Sequence, residues 1–403
     1  IFIVFGLVLI SIIYLIIRLS GSKGLETSMK ESDYKYSVAS WLEEMARVVS
    51  SFKYSRNNTF HIDNTDKLVT GYLESRTSHF KILLFQYWSL IGFKVLITAG
   101  MLIVGSILLV DQQLNIGQFI AAEIVILLVI NSVEKLIINL DKVYDVLTSV
   151  EKLSKVTEKP IEVNGNMDIV LQGKGLSVQM NNVSFDYQND YKGYVLQQLN
   201  FNIQPGEKVC IMGPPGSGKS TLLRLLTGSY TSFEGSILIN STPLSNYKLS
   251  SLRAHTGILL SQQDIFHGTL LENVTMGDPT ISVEQILNLA QQLKLDDFLI
   301  TMKDGFNTML EPLGKKLSRK MVHKILLLRA LVNNPSLLLL EEPLENLDRN
   351  CIDNVLTYLL NCQNTVIAVS TNEQFASACS KVIYIENGSI KAIGNWSSIK
   401  NTI

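Results

Sequence analysis

The sequence predicts an α-helical transmembrane domain with three spans, followed by an α/β P-loop domain with a helical subdomain. Three observations predict this division. Nearly uncharged apolar runs cover 1–17, 82–110 and 119–140. A short apolar run at 208–212 enters a loop reading G-x-x-x-x-G-K-S. Strand and helix patterns then alternate towards the C-terminus. The 403 residues exceed one ordinary core, and the mean hydropathy of +0.22 comes mostly from the first 150 positions. A net charge of −1 argues against a nucleic-acid partner held by bulk electrostatics. Four cysteines, Cys210, Cys351, Cys362 and Cys379, have no C-x-x-C spacing, so neither a metal site nor a disulfide framework is indicated.

The first apolar run ends at Arg18 and is long enough to cross a hydrocarbon layer. A signal peptide would need a basic region before it, and none is present; the chain also begins at Ile, so a preceding segment is expected. Residues 18–81 hold ten Lys or Arg, whereas 111–118 hold none. The long segment is therefore expected on the cytoplasmic side and the short one outside, with the C-terminal part emerging into the cytoplasm. Within it, Val38, Trp41, Leu42, Met45, Val48, Val49 and Phe52 fall near helical spacing. Two long cytoplasmic helices over 21–81 follow, joined by a turn at 57–64; a separate small helical domain is the alternative. Lys94 and the pair Glu134 and Lys135 lie near the cytoplasmic ends of their runs, where Lys can snorkel; Glu123, one turn inside the external end, is the candidate for a substrate path.

Residues 151–175 are polar, lack a period and read as a linker. Strand patterns at 176–185 and 195–203 bracket a turn at Asn189 and Asp190. Further patterns follow at 221–227, 235–239, 256–260, 282–299, 337–340 and 365–370. The loop itself comprises Gly213, Pro214, Pro215, Gly216, Ser217, Gly218, Lys219, Ser220 and Thr221. Its glycines let backbone N–H groups converge on a β-phosphate, Lys219 reaches the β- and γ-oxygens, and Ser220 offers a hydroxyl to Mg²⁺. Four leucines at 337–340 deliver two carboxylates, Glu341 and Glu342, at the end of a buried strand.

In this order the residues resemble the ATP-binding cassette (ABC) family, specifically exporter-type half-transporters, over essentially the whole chain. The resemblance implies roles for individual positions. Tyr187 resembles the aromatic that stacks on adenine. Gln262 is similar to the glutamine that reaches Mg²⁺, with Gln263 beside it as the other register. Glu341 would hold the Mg²⁺ shell, and Glu342 would polarise the attacking water. Asp348 closes the loop that follows. The family's signature, Leu-Ser-Gly-Gly-Gln, reads Leu317, Ser318, Arg319, Lys320, Met321 here, so Ser318 keeps its phosphate contact while both glycines are replaced. Thr371 stands where the family has its switch histidine, without an imidazole's reach or proton chemistry.

The same resemblance implies ATP and Mg²⁺ as cofactors and a second half-transporter as partner, in a homodimer or a heterodimer. It implies six spans in a full chain, three of them before Ile1. A coupling helix is expected around 34–44. The expected setting is a plasma membrane, bacterial inner membrane by preference, with the ATP-binding domain (176–403) in the cytoplasm. The expected function is ATP-driven export of an unidentified substrate. The alternative is a regulatory subunit with little hydrolysis of its own.

Overall fold

The computed structural model describes residues 2–55, 59–171, 173–187 and 193–400, with backbone alone for 2–6, 8 and 9. The chain divides into two compact units, 1–161 and 162–403.

The first unit is helical: α1 (Phe2–Arg47), α2 (Val49–Tyr54), α3 (Phe60–Val110), α4 (Ile116–Ile138) and α5 (Leu140–Thr157). Among the described residues, two helical stretches are long and apolar enough to cross a membrane, Phe60–Val110 and Ile116–Thr157. The apolar run that opens the sequence lies in α1. Asn115 starts α4 with a reciprocal cap, accepting from Gln118 N at 2.7 Å and donating its own N–H to Gln118 Oε1 at 3.1 Å. Leu90, Phe93 and Ile97 of α3 pack against Ile130, Val133 and Ile137 of α4 in a small apolar core. Below it lies a polar layer. Gln86 donates to Ser20 Oγ and Tyr144 Oη, and His79 lies 2.9 Å from Thr27 Oγ1 and 3.3 Å from Asp141 Oδ1.

Four expectations about this unit need correction. Of the turn expected at 57–64, residues 60–64 are already helical, because α3 begins at Phe60; Arg56, Asn57 and Asn58 lie outside the described residues. Thr59 Oγ1 donates to Asp63 Oδ2 at 2.8 Å across that first turn, and Trp41 meets the Phe60 ring edge-on at 6.0 Å. Residues 34–44 form no helix of their own: they continue α1, and the short element is α2. The apolar run 119–140 is broken at Asn139, whose amide donates to the Lys135 carbonyl at 2.6 Å. The linker begins later than 151, since α5 runs on to Thr157 with Tyr144 and Thr148 buried along it.

A corner joins α1, α2 and α3. Trp41 stands edge-on to Phe52 at 6.1 Å as well as to Phe60, Phe52 lies 5.4 Å from the His61 ring, and Trp41 Nε1 donates to Thr65 Oγ1 at 2.9 Å.

The second unit has two main sheets. Its elements are β1 (Val178–Phe185), β2 (Leu196–Ile203), β3 (Lys208–Met212), α6 (Lys219–Leu226), β4 (Glu234–Ile239), β5 (Thr242–Pro243), α7 (Leu249–Ala254), β6 (Thr256–Leu259), β7 (Gly268–Thr269), α8 (Leu270–Thr275), α9 (Val283–Gln292), β8 (Met309–Leu310), α10 (Arg319–Leu331), β9 (Leu337–Glu341), α11 (Arg349–Asn361), β10 (Thr365–Val369), α12 (Glu373–Ala378), β11 (Lys381–Glu386), β12 (Ser389–Gly394) and α13 (Trp396–Ile399). The turn expected at Asn189 and Asp190 lies outside the described residues. An antiparallel sheet runs β2-β1-β4-β5, and a six-stranded sheet runs β12-β11-β3-β10-β9-β6. Strands β3, β6, β9, β10 and β11 pair in parallel. Parallel central strands are covered on both faces, which explains the unbroken apolar runs of β9 and β10.

The helical run expected over 282–299 is interrupted: α9 stops at Gln292, and a 3₁₀ segment, Asp296–Thr301, follows the left-handed Lys294. Glu162 and Asp168, expected in the linker, pair with Arg253 and Lys248 at 2.7 Å each, and so tie that segment to the region of α7.

Candidate nucleotide site

Strand β10 lies between β3 and β9, with Val369 level with both Ile211 and Glu341. Three chain segments therefore leave the same edge of the sheet side by side: the loop after β3, the acidic pair after β9 and Thr371 after β10. Ligand sites in open α/β sheets form at such carboxyl ends.

The loop is built around close backbone approach. A Cβ on Gly213 would lie 1.9 Å from the Ile385 carbonyl oxygen, and its φ of +146° is one that L-residues rarely adopt. Ser217 is buried, and Gly216 and Gly218 have φ values of +78° and +96°. Lys219 begins α6 and turns its ammonium onto the loop, donating to the carbonyls of Gly213 at 2.8 Å and Pro214 at 2.7 Å. Burial holds its pKa below the usual lysine value, against the pull of Glu342 and Glu341. Pro214, Pro215 and Gly216 form the outer rim, Pro215 and Gly216 being exposed.

Ser220 Oγ donates to Glu341 Oε1, and the other oxygen of Glu341 accepts from Ser261 N at 2.8 Å. Glu342 is half-buried, with a left-handed φ of +45°. Its N–H donates to the Val369 carbonyl at 2.8 Å, and its Oε2 accepts from Thr371 N at 3.2 Å. Burial pushes its carboxyl above the usual carboxylate range; the Thr371 hydrogen bond partly opposes that.

The remaining candidates are distributed as follows. Gln262 is exposed, whereas Gln263 lines a cavity of about 560 Å³ with Glu341 and Glu342, and its Oε1 accepts from Leu260 N at 3.1 Å. Tyr187 is held edge-on to Phe185 and Tyr230, and its hydroxyl lies 2.8 Å from Thr221 Oγ1. Ser318 caps α10 by accepting from Met321 N at 3.3 Å. Lys320 pairs with Asp348 at 2.7 Å, while Arg319 lines the cavity. The Thr371 side chain is exposed. Sequence reading missed Ser261, which acts through its backbone, and His323, which lines the same cavity; neither carries a local signal.

Residues 196–345 match the family model described as ABC transporter. Those residues carry an ABC transporter domain. The chain is 29% identical over 359 residues to the alpha-hemolysin translocation ATP-binding protein HlyB of Escherichia coli O157:H7, covering 88% of this chain and 50% of HlyB. It is 32% identical over 263 residues to the glutathione/L-cysteine transport system ATP-binding/permease protein CydC of Haemophilus influenzae, covering 63% and 44% respectively. It thus spans about half the length of the curated relatives it matches. A bacterial Atm1-family ABC exporter solved with ATP bound has the same fold, with a TM-score of 0.84 at 20% identity, over 99% of this chain and 69% of that one.

Proposed function

We propose that this chain is one half of an ABC exporter, moving a substrate out of the cytoplasm by alternating access powered by ATP. The transmembrane part, 1–150, would form the path, and 176–403 would bind nucleotide. The observation that carries this reading is the convergence of Lys219, Ser220, Glu341 and Glu342 at neighbouring strand ends. Lys219 supplies charge to the β- and γ-phosphates. Glu342, with its pKa raised, orients the attacking water and takes its proton.

Mg²⁺ fits the donor set. Ser220 and Glu341 offer hard oxygen donors already in contact, with Gln262 or Gln263 as a third. Among the described residues no cluster of three or more His, Cys, Asp or Glu could hold a metal alone, which suits an ion delivered with phosphates. Held by these residues, Mg²⁺ would supply positive charge to neutralise the phosphates. Tyr187 would present its ring to adenine, and Ser318 would meet the γ-phosphate of a second half-transporter's nucleotide. We assign coupling to α2 rather than to 34–44, because α2 is the short element at the tip between two long helices. The setting is a lipid bilayer, most simply a bacterial inner membrane.

A regulatory subunit with little hydrolysis of its own is the second reading. What favours it is that Arg319 and Lys320 replace both signature glycines, with Lys320 engaged by Asp348. Steady-state ATP hydrolysis by the intact chain reconstituted in lipid, beside Glu342→Gln, separates the two. Turnover abolished by Glu342→Gln supports the exporter reading with a working homodimer. ATP binding without turnover favours the regulatory one, and a partner chain with an intact signature would then be tested for rescue.

A further inference from the structure

His323 sits in the second turn of α10, the helix capped by Ser318. Its Nε2 lies 3.1 Å from the carbonyl oxygen of Pro343, the residue after Glu342. A carbonyl only accepts, so Nε2 carries the hydrogen and donates. Burial pushes the pKa of this imidazole below the usual histidine range, which favours the neutral ring.

The turn it touches is an unusual one. Glu342 occupies the left-handed region, a conformation that a non-glycine keeps only where its surroundings over-determine it. Three contacts hold it there: its N–H on the Val369 carbonyl, its carboxylate on Thr371 N, and its carbonyl accepting from Glu345 N at 3.0 Å. Pro343 is buried and has no N–H to contribute, so its carbonyl is its single main-chain polar group. His323 supplies the hydrogen bond to that group from α10, 20 positions away in sequence.

We propose that His323 is a positioning residue for Glu342: its Nε2–H fixes the Pro343 carbonyl and with it the backbone turn that aims the Glu342 carboxylate. The inference rests on Glu342 being the base, as proposed above. It also ties the helix that starts at Ser318 and Arg319 to the acidic loop, so the two phosphate-facing segments share one brace.

The test uses the intact chain reconstituted in lipid, with His323→Leu, His323→Gln and, as a control, Glu342→Gln. Leucine keeps bulk but loses the donor, whereas the glutamine amide reaches the same carbonyl. Two quantities are read: hydrogen–deuterium exchange of residues 342–347 without nucleotide, and kcat and KM for MgATP. With His323→Leu we expect exchange at least five-fold faster and kcat at least ten-fold lower, with KM changed less than two-fold. His323→Gln should return both to within three-fold of the unmodified chain. Unchanged exchange in His323→Leu, or equal impairment in the two His323 variants, overturns the proposal, the latter because ring bulk rather than the N–H would then matter. Should Glu342→Gln retain turnover, or the unmodified chain show none, the assignment of Glu342 as a working base is what fails. Exchange alone then decides whether His323 braces the turn.

Discussion

The main-chain N–H of Thr371 donates to Glu342 Oε2 at 3.2 Å, so the position after β10 reaches the acidic pair through backbone, not side chain. Because β10 separates β3 from β9, its end emerges between the phosphate loop and the carboxylates. A hydrogen bond to a charged group is worth about 1.5–3 kcal/mol, roughly ten-fold or more in rate if lost in the transition state. Thr371→Ala should therefore leave kcat for ATP within three-fold, while Thr371→Pro, which lacks the N–H, should lower it at least about ten-fold. Steady-state ATPase assays decide; equal losses in both would assign the work to the hydroxyl.

The raised pKa of Glu342 has a stability counterpart. Where the folded-state pKa lies above the unfolded one, the stabilisation is complete below the unfolded value, about 4.3, and is lost as pH rises through the folded value. Removing the charge with Glu342→Gln should accordingly raise Tm at pH 7.5, with the gain shrinking to nothing below about pH 4. Thermal unfolding of both proteins across that range is the measurement. A gain that persists at low pH would point to packing instead.

Two glycines of the phosphate loop should respond differently to alanine. At Gly213 a Cβ would strike the Ile385 carbonyl, whereas at Gly216 nothing lies within 4 Å and only the φ of +78° is unfavourable. Gly213→Ala should lower Tm by several degrees and abolish ATP binding. For Gly216→Ala the expected cost is about 1 kcal/mol, with binding weakened but measurable by a fluorescent nucleotide.

Lys94 of α3 and Glu134 of α4 form an ion pair at 2.5 Å, each side chain about a third exposed. Sequence reading placed both at the cytoplasmic ends, with Lys snorkelling to the interface; in the structure they neutralise each other across two helices. Lys94→Met leaves Glu134 without its partner and should cost roughly 1–2 kcal/mol, below the value for a fully buried pair. The double change Lys94→Met with Glu134→Gln should recover most of it. Unfolding in detergent reports both, and a double variant no better than the single one would refute the pairing.

The parts of this molecule legible in sequence are those with a local cause. Four leucines before Glu341 mark a strand buried on both faces, and Gly213, Gly216 and Gly218 before Lys219 mark a loop whose positive-φ backbone favours glycine. The pairing of Val369 with Ile211 and Glu341 has no such local cause, because it depends on the order in which distant strands meet. His323 and Ser261 were invisible for the same reason: their partners are Pro343 and Glu341, far along the chain. Helix limits failed where a single side chain decides, as at Asn139, whose amide bonds back to Lys135. The register of Gln262 and Gln263 was open because adjacent identical residues carry no pattern.

At the tip of the first unit, Trp41, Phe52, Phe60 and His61 are interlocked, with Trp41 also bonded to Thr65. At 51 residues, α3 is about 77 Å long, against a hydrocarbon layer of about 30 Å. Such a corner welds two rods into a stiff fork. A push on α2 would therefore be delivered along the shafts as displacement instead of being absorbed as bending at the tip, and softening the weld would slip the clutch without touching the engine.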